Sequence, residues 1–148
     1  MITGTIDEIL QHKSANLWTI AADATVFDAI HLMADKNIGA LLVMTGDRLV
    51  GIISERDYTR KVALKGKSSR ETQVREIIST PVISVTPDHT VEECMRLMTE
   101  NRVRHLPVLE SDRVVGVVSI GDLVNWIISR QSVTITQLES YISGQYPG

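Results

Sequence analysis

The chain has 148 residues, 43% of them hydrophobic, with a net charge of −3 and a pI near 5.8. This is the composition of one ordinary domain or two small intimate ones; it offers no basic field for nucleic acid, and no apolar run approaches the roughly 20 residues that span a bilayer. A single cysteine, Cys94, excludes an intrachain disulfide and a Cys-based zinc site, and together with an N-terminus that lacks the charged and apolar regions of a signal peptide it fits a reducing cytoplasm.

In chain order, Trp18 to Ala21 reads as an opening strand. Val26, Ala29, Ile30 and Met33 then recur at i, i+3, i+4 and i+7, the stripe of an amphipathic helix with Thr25 as its N-cap. Two apolar runs, Ala40 to Met44 and Leu49 to Ile53, are joined by the hairpin-length turn Thr45-Gly-Asp-Arg48. Neither run alternates with polar residues, so both faces of the sheet are expected to be covered. A second helix is expected from Ser54, and Lys65 to Glu71 reads as a polar linker. The order then recurs: an opening strand at Val82 to Val85, a helix from Thr90 through Val91, Cys94, Met95 and Met98, strands at Leu106 to Leu109 and Val114 to Val118, and a helix from Ser119. Pro107 implies a strand position that does not need its N–H. The tail from Val133 to Ile142 carries Ile135, Leu138 and Ile142 at helical spacing and is expected to dock on its own core or on a second subunit.

The recurrence is a repeat. Shifted by 65 positions, Asp23 to Arg60 falls on Asp88 to Asn125 without a gap, with thirteen identities in 38 positions. A repeat of this length is a folding unit. The expected class is α/β (α+β): two pseudo-twofold related β-α-β-β-α repeats packed through their sheets, at residues 1–66 and 73–130, with a helical tail at 131–148. Each copy is about 60 residues, where a core is marginal, so the two are expected to form one integrated module.

Each copy ends in the same signature, Gly51-Ile-Ile-Ser-Glu-Arg-Asp57 and Gly116-Val-Val-Ser-Ile-Gly-Asp122. Ser-x-x-Asp is a capping box: the serine caps the amide three residues on and the acid reaches back. The same geometry suits a nucleotide. Free amides and a hydroxyl donate to phosphate, and an aspartate accepts two hydrogen bonds from vicinal ribose hydroxyls. The two readings are compatible, and the duplication favours the second.

The paired Gly-h-h-Ser-x-x-Asp motifs, the Asp-x-Thr-Val helix starts and the Arg104-His-Leu-Pro-Val108 strand resemble a tandem pair of cystathionine β-synthase (CBS) domains, a Bateman module, over about Thr5 to Arg130. That resemblance implies clefts between the repeats that bind adenosine-containing ligands such as AMP, ADP, ATP, NAD(H) or S-adenosylmethionine, with no metal required, and modules that pair into a homodimer. It implies one site on Ser54 and Asp57, with Arg56 near phosphate and Pro81, Val82 and Ile83 near the base. It implies a second on Ser119 and Asp122, with Trp18 and Ile20 opposite. Arg104 and His105 stand where relatives place phosphate-binding basic residues, and Val103 beside them is counted with the nucleotide site; the first-copy counterparts of Arg104 and His105 are the uncharged Gly39 and Ala40, so unequal sites are expected.

No catalytic constellation is present: there is no G-x-S-x-G elbow, H-E-x-x-H pair or P-loop, and NAD binding would not imply hydride transfer. The expected function is a non-enzymatic, energy-sensing regulatory module that passes nucleotide occupancy to an unknown regulated protein, without nucleic acid or membrane. The alternative is a ligand-free structural or interaction module whose Ser-x-x-Asp motifs are only helix caps. S-adenosylmethionine ranks below nucleotides because it would leave Arg56 and Arg104 without a phosphate.

Overall fold

A computed structural model describes residues 3–13, 16–78 and 82–130. In chain order the elements are α1 (Ile6–Gln11), β1 (Thr19–Ala21), α2 (Val26–Lys36), β2 (Ala40–Thr45), β3 (Arg48–Ser54), α3 (Glu55–Tyr58) continuing in π-helical form over Thr59–Ala63, a 3₁₀ turn (Val74–Glu76), α4 (Val91–Asn101), β4 (His105–Glu110), β5 (Arg113–Ser119) and α5 (residues 120–130). The fold is mixed α and β with small sheets, as the repeat pattern predicts. Pro81 and the predicted tail helix lie outside the described residues.

Two compact units form, and they do not follow the repeats end to end. One holds described residues 3–13, 85–106 and 118–130; the other holds 16–78, 82–84 and 107–117. The reason is local pairing at the helix starts. Thr5 bridges Thr90 and Gln73 bridges Thr25, so the segment that opens each repeat pairs at the N-cap of the other repeat's first helix. Backbone bonds reinforce both joints: the Ile6 amide donates to the His89 carbonyl at 2.9 Å and the Val91 amide to Gly4 at 3.0 Å, while the Val74 amide donates to Ala24 at 2.8 Å and the Val26 amide to Thr72 at 2.8 Å. Ile6 and Val74, which anchor the exchanged segments, are fully buried.

In the unit holding 16–78, β1 pairs parallel with β2 and β2 antiparallel with β3, with a bulge between Val43 and Met44. Val26, Ala29 and Met33 of α2 join Leu41, Val43, Ile53 and Val62 in one core, and Leu41, Leu42 and Val43 are buried in succession, as covered sheet faces require. Gly51 lies inside β3 because a Cβ there would stand 2.7 Å from Ile78 Cδ1; the close approach that a strand glycine signals is to this side chain. The predicted linker is not loose. The Phe27 amide donates to the Ser69 carbonyl at 2.9 Å, and Arg70 stacks on the Phe27 ring at 3.9 Å, so 68–72 is held on the start of α2.

The second copy departs from the first at its opening strand. Val82 to Ser84 form no strand among the described residues, and the second sheet has only β4 and β5. Val85 is buried there as a core residue and makes only a single β-bridge. Cys94 is fully buried on α4, and burial, then Glu93, pushes its thiol up to about 11, which leaves it an inert packing group.

α2 and α4 end alike. Asn37 and Arg102 adopt left-handed φ of 54° and 55°, and the following amides, Ile38 and Val103, return to Met33 and Met98 at 3.0 Å. Asn tolerates this conformation; Arg pays for its Cβ. Arg102→Gly is therefore expected to stabilise the protein by about 1 kcal/mol, read as a rise of roughly 2–4 °C in thermal midpoint, and Asn37→Gly to give less.

Candidate functional site

Both signature motifs close as capping boxes. At the end of β3, Ser54 is extended (φ −122°, ψ 163°); its hydroxyl accepts from the Asp57 amide at 3.2 Å and donates to Asp57 Oδ2 at 3.0 Å, while the Ser54 amide donates to the same oxygen at 2.9 Å. At the end of β5 the Ser119 amide donates to Asp122 Oδ2 at 2.8 Å and the Asp122 amide to Ser119 Oγ at 3.1 Å. Serine after an extended strand reaches the first helical turn, and aspartate three residues on is short enough to reach back.

The residue before each second strand supports the cap from the other side. The Glu55 amide donates to the Gly39 carbonyl at 3.1 Å, and the Ile120 amide donates to the Arg104 carbonyl at 2.8 Å. Gly39 and Arg104, paired by the 65-residue shift, thus serve their motifs through the backbone. Ala40 lies directly opposite Ser54 in the β2–β3 register.

The cations at the two motifs have different origins. Asp57 Oδ1 lies 3.5 Å from Lys61 Nζ, one turn along the same helical segment, and Lys61 also donates to the Ile77 carbonyl at 2.8 Å. Asp122 Oδ2 lies 2.7 Å from Nζ of Lys13, 109 residues earlier, just after α1. The 65-residue shift places Trp126 at the position of Lys61, so the second motif cannot obtain its cation locally. Burial opposes ionisation of Asp122, yet the Lys13 ammonium and the Ser119 amide together hold its carboxyl below the usual range.

A cavity of about 500 Å³ opens beside this pair, lined by Ile9, His12, Lys13, Asp122, Asn125, Trp126, Ser129 and Arg130, within the size range of small-ligand sites. Trp126 forms one wall. Its Nε1 donates to the Thr3 carbonyl at 3.0 Å, Arg130 stacks on its face at 4.4 Å, and the His12 ring meets it at 6.1 Å. Sequence reasoning did not find Lys13, Arg130 or a site role for Lys61. No short motif carries them; the tryptophan standing in place of Lys61 was the one available signal.

His105 belongs with this group. Burial first, then the ammonium of Lys13 and more weakly Arg104, push its imidazole below the ordinary histidine range, while Asp122 pulls the other way. A phosphate role for His105 would therefore use a neutral ring. The sign for stability follows: the unfolded chain takes up a proton near pH 6.5 that folded His105 refuses, so stability is full above that pH and falls as pH drops toward the folded value. Thermal midpoints between pH 7.5 and 5.5 should show this loss, at no more than about 1.4 kcal/mol per pH unit, and His105→Leu should remove its share. The share of Asp122 lies lower, present above about pH 3.9 and lost as pH falls through its depressed folded value.

The remaining predicted residues have other surroundings. Trp18 and Ile20 pack against the core of the 16–78 unit, with Lys36 Nζ 4.4 Å over the Trp18 ring. Val82 lines a cavity with Thr45, Arg48, Leu49 and Ser84. Ile83 is half-buried and Arg56 exposed on α3. The amide of Val103 caps α4.

The CBS-domain family profile matches residues 6–64 and 74–129. The chain belongs to the CBS-domain family. It is a tandem CBS pair, and such pairs are commonly regulatory modules. It is 40% identical over 152 residues to the mitochondrial CBS domain-containing protein CBSX3 of Arabidopsis thaliana, covering 96% of this chain and 73% of that protein. A CBS-domain protein of solved structure from Burkholderia ambifaria MC40-6 superposes with a TM-score of 0.84 at 48% identity, covering 86% of this chain and 96% of that one. The hexameric CBS-CP12 protein of bloom-forming cyanobacteria superposes at 0.74 with 32% identity, covering 84% and 68%. Among the described residues no helix is long and apolar enough to cross a membrane.

Proposed function

We propose that this CBS pair is an adenine-nucleotide-binding regulatory module and that the Asp122 motif carries its stronger site. The observation behind this reading is the cavity beside Ser119 and Asp122. An ionised carboxylate, an ammonium, a guanidinium on an indole face, an amide and a hydroxyl converge on one space of nucleotide size. The carboxylate suits ribose hydroxyls, the cations suit phosphate, and an aromatic face suits a base. The module would act as a homodimer in the cytoplasm, reporting AMP, ADP, ATP or NAD(H) occupancy to a regulated protein without chemical turnover.

A thermal-shift panel with AMP, ADP, ATP, NAD, NADH and S-adenosylmethionine tests this. A ligand at about 100 times its dissociation constant should raise the midpoint by on the order of 5–10 °C. Asp122→Asn should abolish the shift and Asp57→Asn should leave most of it. The second reading, a ligand-free interaction module, draws on the fact that both aspartates already accept the bonds of a capping box. It predicts no shift with any compound in the panel.

A further inference from the structure

We propose that a second cavity, beside the β2–β3 turn, binds a free apolar α-amino acid, with Arg75 taking its carboxylate and Asp23 its ammonium. This goes beyond the nucleotide reading and does not rest on it.

The cavity measures about 520 Å³, and all its lining residues belong to the 16–78 unit. Met44, Val50 and Ile78 give it an apolar lining, each of them half-buried. Asp23 and Arg75 line it as well, and both are exposed. Backbone pairing holds the two close together: the Arg75 amide donates to the Ala22 carbonyl at 3.0 Å, the Val74 amide to Ala24 at 2.8 Å, and Gln73 bridges Thr25. Yet among the described residues neither side chain forms an ion pair or a hydrogen bond, whereas Lys61 with Asp57 and Arg96 with Glu92 do close across one helical turn. Two opposite charges therefore share one cavity without neutralising each other.

That charge pattern selects the ligand. A simple anion attracted by Arg75 is repelled by Asp23, and a simple cation attracted by Asp23 is repelled by Arg75. A zwitterion satisfies both. A guanidinium takes a carboxylate through two parallel N–H···O bonds, and an aspartate accepts from an ammonium. The side chain of the amino acid then leaves water against Met44, Val50 and Ile78, and the unbranched Met44 adapts to its shape. The cavity wall is tied down by the β1–β2 ladder, where the Ala22 amide donates to the Met44 carbonyl at 3.1 Å. The 65-residue shift puts Pro87 at the position of Ala22, and proline has no amide to give, so the second copy lacks this tie. The Ser54–Asp57 motif is also elsewhere. Met44 pairs with Leu49 near the turn, while Ser54 pairs with Ala40 at the other end of the ladder, roughly 13 Å along the strand from Val50.

Isothermal titration of leucine, methionine and phenylalanine into the full chain tests the site. At least one should bind with a dissociation constant of about 1 mM or tighter. For leucine, three analogues each remove one recognised feature: leucinamide the carboxylate, N-acetylleucine the ammonium and glycine the apolar side chain. Each should bind at least about tenfold more weakly than the parent. Arg75→Gln and Asp23→Asn should each weaken the parent at least about tenfold. Both side chains are exposed, so the thermal midpoints of the two variants should stay close to that of wild type. No detectable binding of any of the three amino acids at about 10 mM would overturn the proposal. So would equal affinity for leucine and any one analogue, or binding that survives both substitutions. Binding lost in Asp122→Asn but kept in Arg75→Gln would place the amino acid in the other cavity and overturn it too. None of these outcomes bears on the nucleotide panel, which stands or falls separately.

Discussion

Gly4→Ala is expected to lower stability by about 3 kcal/mol and the thermal midpoint by roughly 6–12 °C, although residue 4 lies in a short segment before the first helix. Two causes act together. Gly4 has φ +118°, a region closed to residues with a Cβ, and a Cβ there would stand 2.4 Å from Trp126 Nε1 and 2.9 Å from Cε2. The indole cannot yield cheaply, because its Nε1 donates to the Thr3 carbonyl and its face carries Arg130. The Gly4 carbonyl also accepts from the Val91 amide, so displacement would strain the start of α4. A double-mutant cycle with Trp126→Ala separates the causes: in that background Gly4→Ala should cost only its backbone share, about 1–2 kcal/mol. Equal costs in both backgrounds would show that the indole plays no part.

Asp122→Ala should destabilise by about 2–3 kcal/mol and Asp57→Ala by only about 1 kcal/mol, measured as shifts in urea midpoint at constant slope. Each change removes a capping box, worth about 1 kcal/mol. The difference comes from the cation. Lys61 is one turn from Asp57, 40% exposed, and keeps its bond to the Ile77 carbonyl when the acid is gone. Lys13 is drawn to Asp122 from 109 residues away, and the side chains of that pair are 32% and 24% exposed, so removing the acid takes its 2.7 Å counter-charge from a partly desolvated ammonium and loosens the end of α1. Lys13→Ala in the Asp122→Ala background should recover part of the loss. Equal costs for the two aspartates would mean that the long-range pair adds nothing beyond a surface ion pair.

Much of this is readable along the chain because it is local. The Thr25 and Thr90 caps, the Val26–Ala29–Met33 and Val91–Cys94–Met98 stripes and the buried runs of β2 and β4 follow from side-chain period and capping chemistry within a few residues. The duplicated Ser-x-x-Asp sites were legible for the same reason, since cap, acid and amide lie within one turn. Harder to read were features whose partners are distant. Val82 to Val85 has the composition of a strand, but only Val85 is fully buried and no ladder forms on Val82 to Ser84. Lys65 to Glu71 has the composition of a linker, but its own Ser69 and the adjacent Thr72 are bound to the start of α2.

The sequence by itself determined the repeat, its helices and hairpins, the family and the two acidic motifs, because each is a short-range pattern of side-chain chemistry that any chain with those residues must satisfy. Tertiary structure alone decided that Thr5 and Gln73 pair with the helix starts of the opposite copies, that Gly4 must stay bare beneath Trp126, and that Asp122 takes its cation from Lys13. Those choices depend on which distant backbone satisfies a helix end and which charge can reach a half-buried carboxylate. Neither spacing nor composition encodes that information, and it separates two motifs that read almost alike.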